Sequence, residues 1–357
     1  MLDEARRVAA DIGGLLGVDV DAAVTVAGRA AIMNLGPPCR ISAGGATRLV
    51  RSADGWCAVA LPRDDDIAAL PALIEVDGVV DPWAELTSWA AQRSSQDVTA
   101  RTRLLDIAAS ELGEASPAPP TVRKCGAEVG PRRAEGLLVV DLSSLWAGPL
   151  CGQLLARAGA HVVKVESPRR PDGTRRGEPA FFDWMNAGKL SYAVDFDTDA
   201  DALRRLLAVA DIVIEGSRPA ALRRRALSAD DVVARPGRIW LRIYGYRDQP
   251  DRPAFGDDAA VAGGLVGSSL QGPAFFGDAI ADPLSGLEAA RAVGESLRRG
   301  GGEVIDVAMA QVAARYATVP RGAAPTADRP ETSPASPLGA DNAAVERLVA
   351  ERAGATC

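Results

Sequence analysis

Histidine is almost missing from this 357-residue sequence: His161 is the only one. Imidazole chemistry therefore has little material, and any acid, base or nucleophile is expected among the carboxylates. His161 itself, between Ala160 and Val162 in an apolar run, reads as a packing residue. The five cysteines (Cys39, Cys57, Cys125, Cys151 and Cys357) are scattered with no Cys-x-x-Cys pair, which suggests neither a zinc site nor a disulfide framework. Net positive charge is lacking too: the formal charge is −7, against general nucleic-acid binding. No apolar run approaches the ~20 residues of a membrane span, and no charged-then-apolar leader opens the chain. The expectations are a cytoplasmic protein with no nucleic-acid or membrane partner and no metal.

Hydrophobic residues make up 47% and charged residues 24%, the balance of a globular protein large enough for two domains. Leu137 to Glu166, LLVVDLSSLWAGPLCGQLLARAGAHVVKVE, reads as strand, helix, strand. Pro149 lies just inside the helix start and Gly159 just past its end. The unit resembles the opening βαβ of a nucleotide-binding sheet, but it lacks the three-glycine dinucleotide fingerprint. Its loop at Ser143 to Gly148 could offer backbone N–H groups to an anion.

Before this unit, residues 1–116 read as a small α+β module. An amphipathic helix stops at Gly13-Gly14, and a hairpin turns at Ala53-Asp54-Gly55 between strands 48–52 and 56–61. Helices follow near 65–74, 82–93 and 96–112. Gly44-Gly45 reads as a turn or a flap, the turn being favoured by the sequence alone. Residues 117–128, opened by the proline-rich stretch Ala115 to Pro120, form a linker. Residues 129–318 alternate apolar runs with helical patterns. Strands are expected at 137–142, 162–165, 191–194, 212–214 and 239–243. Helices are expected at 149–158, 199–209, 219–226, 258–265 and 283–297, and a strand-to-helix run at 304–314. The fold class is therefore α/β, a Rossmann-like doubly wound parallel sheet with a smaller α+β domain. Residues 319–357 form a proline-rich tail and a short helix at 341–353. Ten arginines between Arg204 and Arg247 could meet a small polyanion, although solvated helix faces account for most of them.

Asp282 precedes Pro283 at the start of a helical pattern, where aspartate as N-cap and proline as first residue need no catalysis to explain them. Asp257 and Asp258 pose the same question one helix earlier, since two adjacent carboxylates cannot both cap it. Glu166, at a strand end, could meet a ribose hydroxyl or a nearby backbone N–H.

The order Val140-Asp141-Leu142-Ser143, Ala147-Gly148-Pro149, Gly159-Ala160-His161-Val162-Val163-Lys164-Val165-Glu166, Asn186-Ala187-Gly188-Lys189, Ala210-Asp211-Ile212-Val213-Ile214-Glu215 and Ala281-Asp282 resembles the family III CoA-transferases. That family includes formyl-CoA and carnitine-CoA transferases and shares its fold with α-methylacyl-CoA racemases. The resemblance runs from about Leu137 to Met309. It implies that Asp282 is the nucleophile that attacks an acyl-CoA thioester, passing through an aspartyl anhydride and an aspartyl-CoA thioester to a carboxylic acid acceptor. It further implies CoA or acyl-CoA as substrate, with no permanently bound cofactor, and an interlocked homodimer. Arg224 matches a CoA-contacting arginine, Glu166 and Ser167 lie where adenosine binds, and Ser144, Trp146, Ala147 and Gly148 match the part near the thioester. An ordinary aspartate, with a pKa of about 3.9, is ionised at neutral pH and ready for such chemistry.

The pattern also departs from the family. Asp257-Asp258 stands where the racemases carry a histidine followed by an aspartate. Ser144 and Trp146 differ from the oxalate-using transferases, and Leu190 replaces a common basic residue. The small domain, marked by Leu49 to Trp56, lies in front instead of downstream, which puts Gly44-Gly45 roughly where the family's glycine-rich flap would be. Two further readings stay open: an acyl-CoA racemase or isomerase using Asp257 or Asp258 with Asp282, and a CoA-binding protein without turnover.

Overall fold

The computed structural model describes residues 1–216 and 218–354; Cys357 lies outside them. The chain opens with α1 (Leu2–Leu16) and α2 (Ala22–Met33), then the hairpin β1 (Thr47–Arg51) and β2 (Trp56–Ala60). Four helices follow, α3 (Asp64–Ala68), α4 (Leu70–Ile74), α5 (Pro82–Ala90) and α6 (Ser95–Leu104), then β3 (Ala109–Glu111) and β4 (Thr121–Lys124). The alternating part runs β5 (Leu138–Asp141), α7 (Ala147–Arg157), β6 (His161–Glu166), α8 (Pro179–Asn186), β7 (Leu190–Ala193), α9 (Ala200–Val209), β8 (Ile212–Glu215), α10 (Pro219–Arg223) and β9 (Ile239–Tyr244). The chain continues through α11 (Gly256–Ala262), β10 (Val266–Ser269), β11 (Gly272–Phe275), α12 (Ala281–Arg299), β12 (Glu303–Ala308), α13 (Met309–Ala317) and α14 (Asn342–Gly354).

The main sheet has the order β4-β12-β9-β8-β5-β6-β7. All neighbours pair in parallel except β4, which runs antiparallel on the edge beside β12. Its inner strands β5, β6, β8, β9 and β12 are buried on both faces, which is why they read as continuous apolar runs and not as alternating ones, whereas the edge strand β4 is exposed along its length. Val139, Ile212, Leu241 and Ile305 point into a core shared with α1, α7 and α12. Leu138, Val140, Val213 and Trp240 point into a second core shared with α9 and α14. The sheet is thus covered on both sides, as a doubly wound fold requires. Strand order reverses at β5: β6 and β7 extend one way, β8, β9 and β12 the other. Open α/β sheets bind ligands at the carboxyl ends of strands flanking such a switch point, here β5 and β8.

Several segments depart from the expected division of the chain. Only residues after about 38 build the small module, whose antiparallel sheet β1-β2-β3 covers its own core of Val59, Leu70, Leu73, Leu86 and Val98. The first two helices belong to the large layer instead, with Ala5, Val8 and Ile12 packed in one core with Leu287, Val293 and Leu297. The reason is that α12 is buried nearly all round, so it needs a second helical layer outside it. The expected linker contains β4, and the tail helix α14 inserts Val345 into the second core. The helix expected at 96–112 ends at Leu104, and Ala109–Glu111 instead pairs with β2. The hairpin of β10 and β11 was not foreseen. His161 is exposed at the first position of β6, not packed.

Candidate active site

The loop after β5 stands at the switch point and is held by two buried lysines. Lys189 Nζ donates to Asp141 Oδ2 (2.9 Å), the Pro149 carbonyl (2.9 Å) and Asn186 Oδ1 (3.1 Å). Lys164 Nζ donates to Asp172 (2.8 Å) and to the Ser143 carbonyl. Asp172 in turn accepts the Leu145 N–H at 3.1 Å. Burial opposes ionisation of Asp141, but Lys189 and Lys164 outweigh it and hold the carboxyl below its ordinary value. The motif fragments Asp141-Leu142-Ser143, Val-Lys-Val-Glu and Asn-x-Gly-Lys are therefore parts of one network that fixes residues 141–149. Gly148 is required there: a Cβ on it would lie 2.1 Å from Ser143 Oγ. The loop carries strain, with Leu145 at φ 71°, a region costly for a residue with a Cβ. Ser144 is exposed and Trp146 buried.

Four carboxylates gather at the start of α12. That helix begins at Ala281, so Asp282 is its second residue and not its N-cap, and no side chain caps this end. The Asp282 N–H donates to the Ala279 carbonyl (2.9 Å), and Ala279 has φ 42°, a second strained non-glycine residue. The Ala279 N–H donates to Asp257 Oδ1 at 3.0 Å, so Asp257 ties α11 to the loop that presents Asp282. Asp258 is the capping residue of the pair, accepting from the Phe255 N–H (2.7 Å) and the Tyr246 hydroxyl (3.2 Å). Gly256 lets α11 approach, since a Cβ there would lie 2.4 Å from Asp282 Oδ2. The half-buried Asp282 carboxylate receives no hydrogen-bond donor among the described residues.

Burial, reinforced by Asp257 and only partly offset by Arg29, pushes Asp282 up to about 7. Burial and Asp278 raise Asp257 to about 6, and burial raises Asp258 to about 7. The expectation of an ordinary, fully ionised aspartate at neutral pH is corrected: Asp282 is poised near half ionisation, because the fold desolvates it among other acids.

The two loops meet. A Cβ on Gly286, one turn after Asp282, would lie 2.8 Å from the Ala147 carbonyl. Trp146 stands edge-on to Phe181 at 5.5 Å, and the Arg29 guanidinium lies over both rings. Gly44 and Gly45 form a turn, Gly45 at φ 80°, that passes close to the Arg29 guanidinium. Ser42, at the start of the same turn, lies near enough to Asp257 to favour its ionised form. Asp282, Asp257, Asp258, Trp146, Ala147 and the Gly44-Gly45 turn thus converge on one region.

Other expected residues fare differently. Glu166 is buried and bound in a bidentate pair to Arg175, with its Oε1 also accepting the Asp172 N–H at 2.9 Å. Its carboxylate is thus not open to a ribose; the backbone-donor alternative is the one observed. Ser167 is half-buried beyond it. Of the ten arginines, Arg204, Arg218, Arg223, Arg225, Arg235 and Arg242 are ion-paired, and Arg238 and Arg247 bond backbone carbonyls. Arg224 is exposed and makes neither contact among the described residues.

Sequence reasoning missed Arg29, Ser42, Asp278 and Ala279. The one legible signal was Arg29, a lone charge inside the apolar stretch Ala22 to Met33. Among the described residues no three His, Cys, Asp or Glu side chains converge to hold a metal ion, and no helix is long and apolar enough to cross a membrane.

A family model described as CoA-transferase family III matches residues 135–345. Succinyl-CoA–D-citramalate CoA-transferase of Chloroflexus aurantiacus is 32% identical over 197 residues, 50% of this chain and 49% of that protein. Succinate–glutarate CoA-transferase of Agrobacterium fabrum is 31% identical over 203 residues, covering 50% and 51%. The crystal structure of the hypothetical protein Rv3272 from Mycobacterium tuberculosis aligns with a TM-score of 0.48 and 31% identity, covering 53% of this chain and 57% of that one. The chain spans about half the length of the curated relatives it matches.

Proposed function

The chain belongs to CoA-transferase family III, and from that premise we propose that it moves coenzyme A between an acyl-CoA thioester and a carboxylic acid, with Asp282 as nucleophile. The observation that carries this reading is the Asp282 carboxylate itself. It is fixed by a strained loop, free of hydrogen-bond donors among the described residues, and set beside the switch-point loop. In the first step an ionised Asp282 oxygen bonds to the thioester carbonyl carbon. The C–S bond breaks, leaving an aspartyl anhydride and CoA thiolate. The thiolate then attacks the aspartyl carbonyl, releasing the first acid and giving an aspartyl-CoA thioester. The acceptor carboxylate attacks that thioester, expelling thiolate and forming a second mixed anhydride, and the thiolate attacks the acceptor's carbonyl carbon, giving the new acyl-CoA and freeing the Asp282 carboxylate. The thioester energy is kept throughout.

Ser144, Trp146, Ala147 and Gly148 are proposed to line the thioester end, and Ser167 and the exposed Arg224 to contact the adenosine and phosphate end. Glu166 then serves indirectly, by fixing Arg175. Two relatives are named for succinyl-CoA or succinate with other dicarboxylates, which makes succinyl-CoA the first donor to try. The working form is proposed to be a cytoplasmic, interlocked homodimer; sedimentation at twice the monomer mass is the expected outcome, and sedimentation at the monomer mass would count against the dimer.

The test is mass spectrometry of the protein after incubation with acetyl-, succinyl- and fatty acyl-CoA, each quenched with hydroxylamine. A hydroxamate on Asp282 is expected, absent in Asp282→Asn. No adduct from any thioester counts against transfer and favours CoA binding without turnover. Deuterium uptake at the α-carbon of a 2-methylacyl-CoA in heavy water, without an acceptor acid, favours the isomerase reading instead.

A further inference from the structure

The charged groups that act on Asp282 come from three elements. Asp257 and Asp258 sit on α11, Asp278 in the loop before α12, and Arg29 on α2. Arg29 acts on Asp257, Asp278 and Asp282 alike, as a cation that opposes the raising of all three. It is held firmly: its guanidinium is ion-paired with Asp278, the two side chains being 21% and 2% exposed. It also lies 5.3 Å from the Phe181 ring centroid and 5.8 Å from that of Trp146. Asp278 gives only one oxygen to this pair, and its buried Oδ2 has no partner among the described residues. Carboxylates this crowded favour protonation of at least one member unless a cation is fixed among them.

We infer that Arg29 is a positioning residue for the nucleophile: anchored by Asp278 and the Trp146–Phe181 edge, its guanidinium supplies the positive charge that lets Asp282 lose its proton among three neighbouring carboxylates. The inference rests on Asp282 being the nucleophile. It gives the N-terminal helical segment a part in the chemistry, since the proton must leave Asp282 before its oxygen can bond to the thioester carbon.

The experiment measures the rate of hydroxylamine-trapped labelling of Asp282 against pH. It uses the acyl-CoA of the panel that labels best, and compares the unaltered chain with R29Q, R29K and D278N. Thermal unfolding and CoA binding are followed in parallel. R29Q is expected to move the acid limb up by about one pH unit, so that labelling below the limb falls about tenfold. R29K should restore most of it. D278N, which removes a competing negative charge and frees Arg29, should move the limb down. Opposite shifts from two partners of one ion pair are not produced by loss of structure. An unmoved limb in R29Q and D278N, with labelling intact, overturns the role of Arg29 while leaving the nucleophile standing. Should R29Q not fold, D278N decides alone: a limb that stays or rises overturns the inference. Absence of labelling in the unaltered chain, or labelling of another residue, overturns the nucleophile reading and this one with it.

Discussion

Asp282 shows how a reactive carboxylate is made from an ordinary residue. Its folded value of about 7 lies above the ordinary 3.8, so folding favours the neutral acid. The favourable contribution of this group is complete below about pH 4 and is lost as pH rises through about 7. Asp282→Asn cannot lose that contribution. It is therefore expected to be more stable than the parent by up to about 4 kcal/mol at pH 8, with the gap closing toward pH 4. Urea unfolding at the two pH values checks this. For the same reason, Asp282 labelling is expected to rise with pH through an acid limb near 7. Site and stability are thus in opposition at one side chain, as in other active sites that store unfavourable electrostatics.

At the scale of the element, the β5–α7–β6 unit owes its rigidity to polar groups buried beneath its loop. Lys189 touches Asp141, Asn186 and the Pro149 carbonyl at once. Lys189→Met should leave Asp141 charged and unpaired in the interior, at a cost of about 3–5 kcal/mol, and chemical denaturation would measure it. A loss below about 1 kcal/mol would mean the loop is held by other means. The strained residues Leu145 and Ala279 lie in the two loops that face each other across the site. Their unfavourable conformations persist because the two lysine pairs on one side, and Asp257 on the other, fix the surrounding backbone.

At the scale of the whole molecule, the small module reaches the site through the β10–β11 hairpin, which leads directly into Asp278. Trp56 packs on that hairpin at Gly272, and the Phe275 N–H donates to the Cys39 carbonyl at 2.8 Å. Trp56→Ala should loosen the hairpin by about 2–3 kcal/mol, seen as faster amide exchange over residues 266–280 with the main sheet unaffected. Faster exchange of the sheet as well would show that the two parts open together. The sequence by itself determined the β/α alternation, the placement of the β5–α7–β6 unit, the β1–β2 hairpin and the candidacy of Asp257, Asp258 and Asp282, because these are local matters of periodicity, turn residues and helix starts. It did not reveal that α2 packs on the large layer, since a helix of Ala, Val and Gly apolar nearly all round offers no period that says which partner it seeks. Tertiary structure alone decided that Arg29, from the first tenth of the chain, stands among carboxylates 250 residues later. It alone raised Asp282 out of the ordinary carboxylate range, because desolvation and crowding of charge exist only once distant segments are packed together.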